Sequence, residues 1–307
     1  MNIYINTIKE NWVVDRFVKE WNEFNFKQKK ILFGRKSIIW IIAPWTWSKI
    51  PKRYLSKNKV VCTIHHIDEE KFGIEELSEF KERDKYVDLY HVISKSTSIQ
   101  VKKITKKEIK VIPFWINKNL WFCIEDKETL YKKFNLDKNS YYIGSFQRDT
   151  EGSDLVSPKL SKGPDQFLTI AKHFNKSKEN LVVLLTGRRR QYLINSLEKE
   201  GIKYKYFEMV SFKELNELYN LLDLYIVSSR YEGGPQAIME CALNKTPLIS
   251  TDVGIASEVL SEESIFDMST FKNAIPNVEF AYQKVQQYTI PEGFVKFNKL
   301  FKDLYEN

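Results

Sequence analysis

Short apolar runs alternate with longer amphipathic stretches along the whole chain. In the first part the runs are NIYINT, SIIWIIA, VVCTIH, LYHVIS and IKVIP; in the second they are YYIGSF, LVVLLTG, YKYFEM, LYIVSS and TPLIST. Each is rich in Ile, Val, Leu and aromatic residues and too short for a helix, which predicts strands. Between them, GPDQFLTIAKHFNK, RQYLINSLEKEG and FKELNELYNLLD repeat their apolar positions every three to four residues, which predicts helices. Strand and helix in alternation predict an α/β protein built on parallel sheets. Residues 118–140, KNLWFCIEDKETLYKKFNLDKNS, carry little strand pattern and read as a connection. The expected division is therefore 1–125, 126–285 and an amphipathic tail 286–307 that returns to the first domain. No fixed-period repeat or low-complexity tract interrupts this plan.

Composition agrees with a folded chain and adds an asymmetry. The 307 residues are 43% hydrophobic and carry a net charge of +8. Residues 1–125 hold 24 Lys and Arg against 15 Asp and Glu, whereas the remainder holds 24 against 25. All seven tryptophans (Trp12, Trp21, Trp40, Trp45, Trp47, Trp115 and Trp121) fall in that basic stretch. Each Lys or Arg beside an anionic lipid surface contributes about 1 kcal/mol, and Trp favours headgroups. The first domain is thus read two ways, as a face toward anionic lipid at the inner side of the cytoplasmic membrane, or as a plain basic surface with its tryptophans in the core or an acceptor pocket. SIIWIIAPW is too short to span a bilayer, and the start lacks a basic-then-apolar leader, so a cytoplasmic protein is expected. Cys62, Cys123 and Cys241 show no CxxC spacing and read as reduced core residues. The basic excess belongs to no nucleic-acid module, so no nucleic-acid partner is expected.

Candidate chemistry collects just after the strands of the second part, in GSFQR, TGRRR, SSRYEGGP and STDVG. In open α/β sheets ligands bind beyond the carboxyl ends of the strands, so these segments are expected to share one rim. SSRYEGGPQAIMEC holds the most information. Gly233 and Gly234 let a ligand approach the main chain. Pro235 suits the first turn of a helix, and the amides that follow can face an anion, a phosphate above all. Glu232 and Glu240 would repel that phosphate, so they are expected to address hydroxyl groups on either side of it. Two hydroxyl-bearing rings joined by phosphates describe a nucleoside diphosphate sugar. The three arginines of TGRRR are read two ways, as phosphate contacts or as a solvated helix start.

EGGPQAIMECALNKTPLISTDVG resembles the signature of the retaining glycosyltransferases of family four, which have the GT-B fold: two Rossmann-like, doubly wound parallel-sheet domains facing a central cleft. By that resemblance Glu232 binds the transferred sugar and Glu240 the ribose, while Gly233, Gly234, Pro235 and Gln236 meet the diphosphate. YYIGSFQR…SPKLSKGPDQF is similar to the family's strand, loop and helix carrying an Arg and a Lys; Gly144, Arg148 and Lys162 match, with Lys159 a competitor for the lysine. Gly187 matches the end of a donor-side strand. VVCTIHHID resembles the strand that ends in a His facing the donor sugar, which makes His65 the match and turns His66 away. His91 and His173 show no ligand spacing with it, and DEE at Asp68–Glu70 is not an Asp-x-Asp motif, so neither metal nor cofactor is expected. Two departures stand out. Phe114 and Trp115 replace an Asn-Gly pair, and the start reads NTIKENWVVDRF where relatives carry a Gly-rich loop.

The resemblance implies a hexosyltransferase that takes a UDP- or GDP-linked sugar to a glycan or lipid-linked glycan acceptor, in surface polysaccharide or lipopolysaccharide biosynthesis. Transfer would proceed on the front face, with Arg148 and Lys162 holding the leaving diphosphate. The alternative is a protein of the same fold that binds sugar nucleotides without transferring them.

Overall fold

The computed structural model describes residues 1–6, 13–25, 37–69, 71–152 and 154–306. Among these, the chain divides into two units, Met1–Phe114 with Pro291–Asn307 and Trp115–Ile290. In the first, β1 (Ile3–Ile5), β2 (Ile38–Ile41), β3 (Lys59–Ile64), β4 (Leu89–Val92) and β5 (Glu108–Val111) form a sheet in sequential order. Every pairing is parallel. A parallel sheet is covered on both faces, and β2 and β4 are accordingly buried along their whole length.

One side of this sheet is closed by aromatic rings. Trp21, on the helix Val13–Phe24, meets Trp40 edge-on at 5.4 Å and Phe301 at 5.5 Å. Phe301 and Phe297 lie on the C-terminal helix Val295–Glu306, which also stacks Phe297 on Phe114 at 5.8 Å. Phe114, where an Asn-Gly pair was expected by resemblance, is thus a core residue with no exposed surface. Trp21, Trp40, Trp47, Trp115 and Trp121 are all buried, and Trp45 is 41% exposed. Of the two readings of the tryptophans, lipid headgroups or core, the described ones mostly follow the second, because flat rings fill the space between sheet and helices. Residues 7–12 of the NTIKENWVVDRF segment, Trp12 among them, lie outside the described residues.

The second unit holds β6 (Tyr141–Ser145), β7 (Leu181–Thr186), β8 (Tyr204–Phe207), β9 (Leu224–Val227), β10 (Leu248–Thr251) and β11 (Ile265–Phe266). Their order is β11-β10-β9-β6-β7-β8, all parallel. Ile143, Val183, Leu185 and Ile226 from the strands pack with Phe167, Ile170, Leu193 and Leu197 from the helices. The chain enters at β6, winds outward to β8, and returns to the other flank of β6 as β9. Strand order therefore reverses between β6 and β9, which makes their carboxyl ends a switch-point crevice.

The units divide between Phe114 and Trp115, earlier than the 125/126 boundary taken from weak strand pattern. The reason is a local bridge: Ile116 pairs with Thr289, and Ile116 N donates to Tyr288 O at 2.9 Å. Cys123 is exposed rather than core; Cys62 and Cys241 are buried.

Candidate functional site

The loop after β9 and the loop before the helix Pro164–Ser177 are locked together by main chain. The amides of Arg230 and Tyr231 both donate to Ser161 O, at 2.9 and 3.1 Å. Arg230 adds a two-pronged pair to Asp165, at 2.8 and 2.6 Å. Gly163 has φ +59°, and a Cβ there would fall 1.8 Å from Ser228 O, so only glycine lets the two loops approach this closely. Ser228 Oγ closes the contact by donating to Gly163 O at 2.8 Å.

This docking brings Lys162 onto Glu232. Lys162 Nζ donates to Glu232 Oε1, with the side chains 22% and 11% exposed. Two of the residues expected to share a donor site are therefore in direct contact. Ser229 Oγ lies 3.3 Å from the same carboxylate oxygen and 3.3 Å from Gln147 Oε1. Gln147 Nε2 donates to Lys162 O at 2.9 Å. Gln147 was not singled out from sequence; its place beside Arg148, after β6, was the available signal. Arg148 is exposed at this rim, its Nε turned back to Thr150 O at 3.0 Å. Lys159 sits one turn earlier, its amide donating to Asp149 O at 2.8 Å.

The glycine corner is buttressed from behind. Gly254 has φ +57°, and a Cβ there would lie 2.6 Å from Gly233 O and 2.8 Å from Gly234 N. Thr251 Oγ1 donates to Ser229 O at 2.6 Å. The helix runs Gln236–Asn244, with Pro235 as its N-cap rather than its first residue, since ψ of 113° is extended. The Pro235 side chain offers no cap, and Ile238 N turns back to Pro235 O at 3.1 Å, so this helix N-terminus presents its positive end toward the loop.

Glu240 lies on the buried side of this helix, 6% exposed, and accepts from Tyr219 Oη at 2.9 Å. The two glutamates thus differ: Glu232 sits in the loop crevice, and Glu240 is built into the helix packing. Gly144, matched to the donor site by resemblance, has a packing reason of its own to be glycine. It lies inside β6, where a Cβ would meet Leu222 Cδ1 at 2.6 Å. Gly187 ends β7 at φ +89° with open space around it. Of TGRRR, Arg188 is exposed and Arg190 has no exposed surface, so Arg190 is neither a solvated residue nor a phosphate contact.

In the first unit, His65 follows β3. Its Nε2 lies 2.9 Å from Ile42 O, and its ring rests between Trp45 and Phe114, 5.9 Å from each. A carbonyl only accepts, so Nε2 carries the hydrogen and Nδ1 is the acceptor. Burial holds the imidazole down to about 4, so it is neutral near pH 7. His66 turns the other way and lines a recess with Trp45, Phe72 and Arg83. Among the described residues, no group of three His, Cys, Asp or Glu is placed to hold a metal ion, and no helix is long and apolar enough to cross a membrane.

Residues 157–272 match the family model described as Glycosyl transferases group 1. That span contains Lys162, Glu232, the glycine corner and Glu240. The chain is 24% identical over 190 residues to the O-antigen biosynthesis glycosyltransferase WclY of Escherichia coli, covering 60% of this chain and 48% of that one. It spans about half the length of the curated relatives it matches. Among solved structures, a sucrose-phosphate synthase from Thermosynechococcus elongatus superposes with a TM-score of 0.72 at 16% identity, covering 96% and 77% of the two chains. HepE of Anabaena, in complex with UDP and glucose, superposes at 0.71 with 14% identity, covering 87% and 78%. These likenesses show the fold, GT-B, and the residues that the family model matches lie in the second unit.

Proposed function

We propose that this chain, whose residues 157–272 match the Glycosyl transferases group 1 model, transfers a hexose from a UDP-sugar to a glycan with retention of configuration. The observation that carries the reading is the contact of Lys162 with Glu232 beside an uncapped helix end. A cation suited to phosphate, a carboxylate suited to sugar hydroxyls and the positive end of a helix support the reading by their nearness in one loop cluster.

In this reading the diphosphate lies on the amides after Gly234, where a helix end favours negative charge by about 0.3–1 kcal/mol and up to ~2 when partly buried. Lys162 and Arg148 neutralise the charge that grows on the departing phosphate. Glu232 accepts from hydroxyls of the transferred sugar. Glu240 serves the ribose side, held by Tyr219. Neutral His65 offers Nδ1 to a substrate hydroxyl. Lys162 and Arg148 are the cations proposed to meet the diphosphate, and the reaction is proposed to need no metal. UDP is the first nucleotide to test because HepE was solved with it, and a glycan acceptor because WclY acts in O-antigen biosynthesis.

The experiment is release of nucleoside diphosphate from a panel of UDP- and GDP-sugars, with and without EDTA and glycan acceptors, followed by proton NMR of the product anomer. Transfer with the donor's anomeric configuration kept, insensitive to EDTA, supports the reading. Inversion or a metal requirement overturns those parts of it. Saturable donor binding with neither transfer nor hydrolysis would establish a binding protein instead. Adding anionic vesicles to the same assay decides whether the basic first unit serves a lipid-linked acceptor.

A further inference from the structure

The loops that close β6 and β7 are joined at one guanidinium. Arg190 Nε donates to Asp149 Oδ2 at 2.9 Å, and Nη1 donates to Gln147 O and, at 3.2 Å, to Thr186 O. Arg190 has no exposed surface and Asp149 is 2% exposed. A buried ion pair that bridges two strand ends adds little stability for its own sake, but it fixes where those ends lie. Its neighbour Arg189, at φ +62°, accepts the amides of Asp149 and Thr150 at 3.0 and 3.3 Å, and its Nη1 donates to Gly152 O at 3.1 Å.

The segment so gripped is a hairpin that links Arg148 to Lys162. Thr150 bridges Pro158, Glu151 N donates to Ser157 O at 3.0 Å, and Lys159 N donates to Asp149 O at 2.8 Å. One arm leaves from Arg148; the other runs into the turn Leu160–Lys162. From the other side, Gln147 reaches the same turn: its main chain is held by Arg190, and its side chain donates to Lys162 O while its Oε1 faces Ser229 Oγ. Ser229 in turn touches Glu232.

We infer that Arg190, Asp149 and Gln147 are positioning residues for the Lys162–Glu232 pair. The inference rests on the glycosyl-transfer reading above for its kinetic consequence, but not for its structural one. Arg190 sets the main chain of Gln147, and Gln147 sets the carbonyl of Lys162 and the hydroxyl beside Glu232. Displacement of a reacting group by about 1 Å costs ~10²-fold in rate, so the chain of contacts acts on turnover more than on donor binding.

The test compares Gln147→Leu, Gln147→Glu and Arg190→Gln with wild type in the full chain. Gln147→Leu removes both side-chain ties at nearly constant volume. Gln147→Glu keeps the acceptor for Ser229 and loses donation to Lys162 O. The expected result is a kcat lowered about 10- to 100-fold by Gln147→Leu, less by Gln147→Glu, with donor KM within about threefold and thermal unfolding nearly unchanged. Arg190→Gln is expected to do the same to kcat in whatever fraction of the protein folds. A raised KM with kcat intact, or activity that merely tracks the folded fraction, overturns the inference. A second readout needs no turnover: after reductive methylation with carbon-13 formaldehyde, the Lys162 signal, identified by its loss in Lys162→Arg, is expected to move toward that of a free lysine in Gln147→Leu. An unmoved signal overturns the positioning role even if wild type proves to transfer nothing; a moved signal with an inactive wild type overturns only the glycosyl-transfer reading.

Discussion

Lys162 and Glu232, 70 positions apart in sequence, form an ion pair because Gly163 lets one loop lie against the main chain of the other. Neither side chain is more than a quarter exposed, so the pair is protected from the screening that weakens surface pairs. It is one contact between two elements that both end at the switch between β6 and β9.

Lys162→Ala and Glu232→Ala are each expected to lower kcat by ~10²- to 10³-fold, the usual effect of losing one preorganised charged group in a reacting site. Each leaves its former partner half-sheltered and unpaired, which costs about 1–2 kcal/mol, between the surface and buried extremes. The measurement is steady-state kinetics beside urea unfolding. Near-normal turnover in Glu232→Ala would sink the site assignment.

Gly163 and Gly187 make a matched pair for separating steric from conformational effects. Both have positive φ, at +59° and +89°, but a Cβ on Gly163 strikes the carbonyl of Ser228 whereas one on Gly187 meets nothing within 4 Å. Gly187→Ala is expected to cost about 1–2 kcal/mol, the price of a left-handed alanine. Gly163→Ala adds a main-chain clash and is expected to cost about 3 kcal/mol or more and to remove activity by pushing Lys162 from Glu232. Denaturant unfolding of both variants decides the matter; equal costs would mean that the loops are free to separate.

How much of this was legible in the sequence depends on what each residue needed to know. The strands before β11 were readable because most are apolar runs bounded by polar residues, while β5 (EIKV) and β8 (YKYF) alternate apolar or aromatic with charged positions. β11, Ile265–Phe266, is two residues long and exists only because it pairs with β10. The glycine corner was readable because Gly, Gly and Pro restrict the backbone locally. The packing of Gly144 under Leu222 was not legible, because a glycine near a ligand and a glycine under a leucine look alike in one dimension. Arg190 was unreadable for a related reason. Three consecutive arginines suggest solvent or phosphate, and only the return of Asp149 from 41 positions away buries one of them. Pattern reports periodicity; it does not report which polar side chain finds a partner across the sheet.

Tyr219 and Glu240 give a test of the donor's far side. The phenol donates to Glu240 Oε2 at 2.9 Å, and the ring packs on Phe146 and Tyr225 at 4.9 and 5.3 Å. Burial, with the Glu240 carboxylate beside it, holds the Tyr219 hydroxyl well above its ordinary pKa, so it remains a donor throughout the working range. Tyr219→Phe removes that donor to a buried carboxylate at constant shape, which is expected to cost about 1–3 kcal/mol of stability. Donor affinity is expected to fall about tenfold with kcat nearly kept, the reverse of the Gln147 variants. Calorimetric titration with UDP separates the two; unchanged UDP affinity would remove Glu240 from the donor site.

The histidines of the first unit predict how stability responds to acid. Trp40 Nε1 donates to Thr63 Oγ1 at 2.8 Å, and Thr63 Oγ1 lies 2.9 Å from His91 Nδ1, while His91 Nε2 lies 2.7 Å from Ile112 O. Because Ile112 O can only accept, Nε2 carries the hydrogen, Nδ1 accepts from Thr63, and the ring is neutral. Burial holds His91 down to about 3 and His65 down to about 4, against 6.5 for an ordinary histidine. Below pH 6.5 the unfolded chain therefore binds protons that the folded chain refuses. Protons bound by the unfolded state exceed those bound by the native one, so stability rises with pH, is complete above 6.5, and is lost as pH falls toward 4. Each histidine contributes a slope of at most about 1.4 kcal/mol per pH unit in that window. His91→Gln keeps a donor for Ile112 O and cannot titrate. Its stability, measured by urea unfolding at several pH values, is expected to be lower than wild type near neutrality and to fall less steeply, by about 1 kcal/mol per pH unit. Parallel curves for the two proteins would show that His91 accepts its proton in the fold.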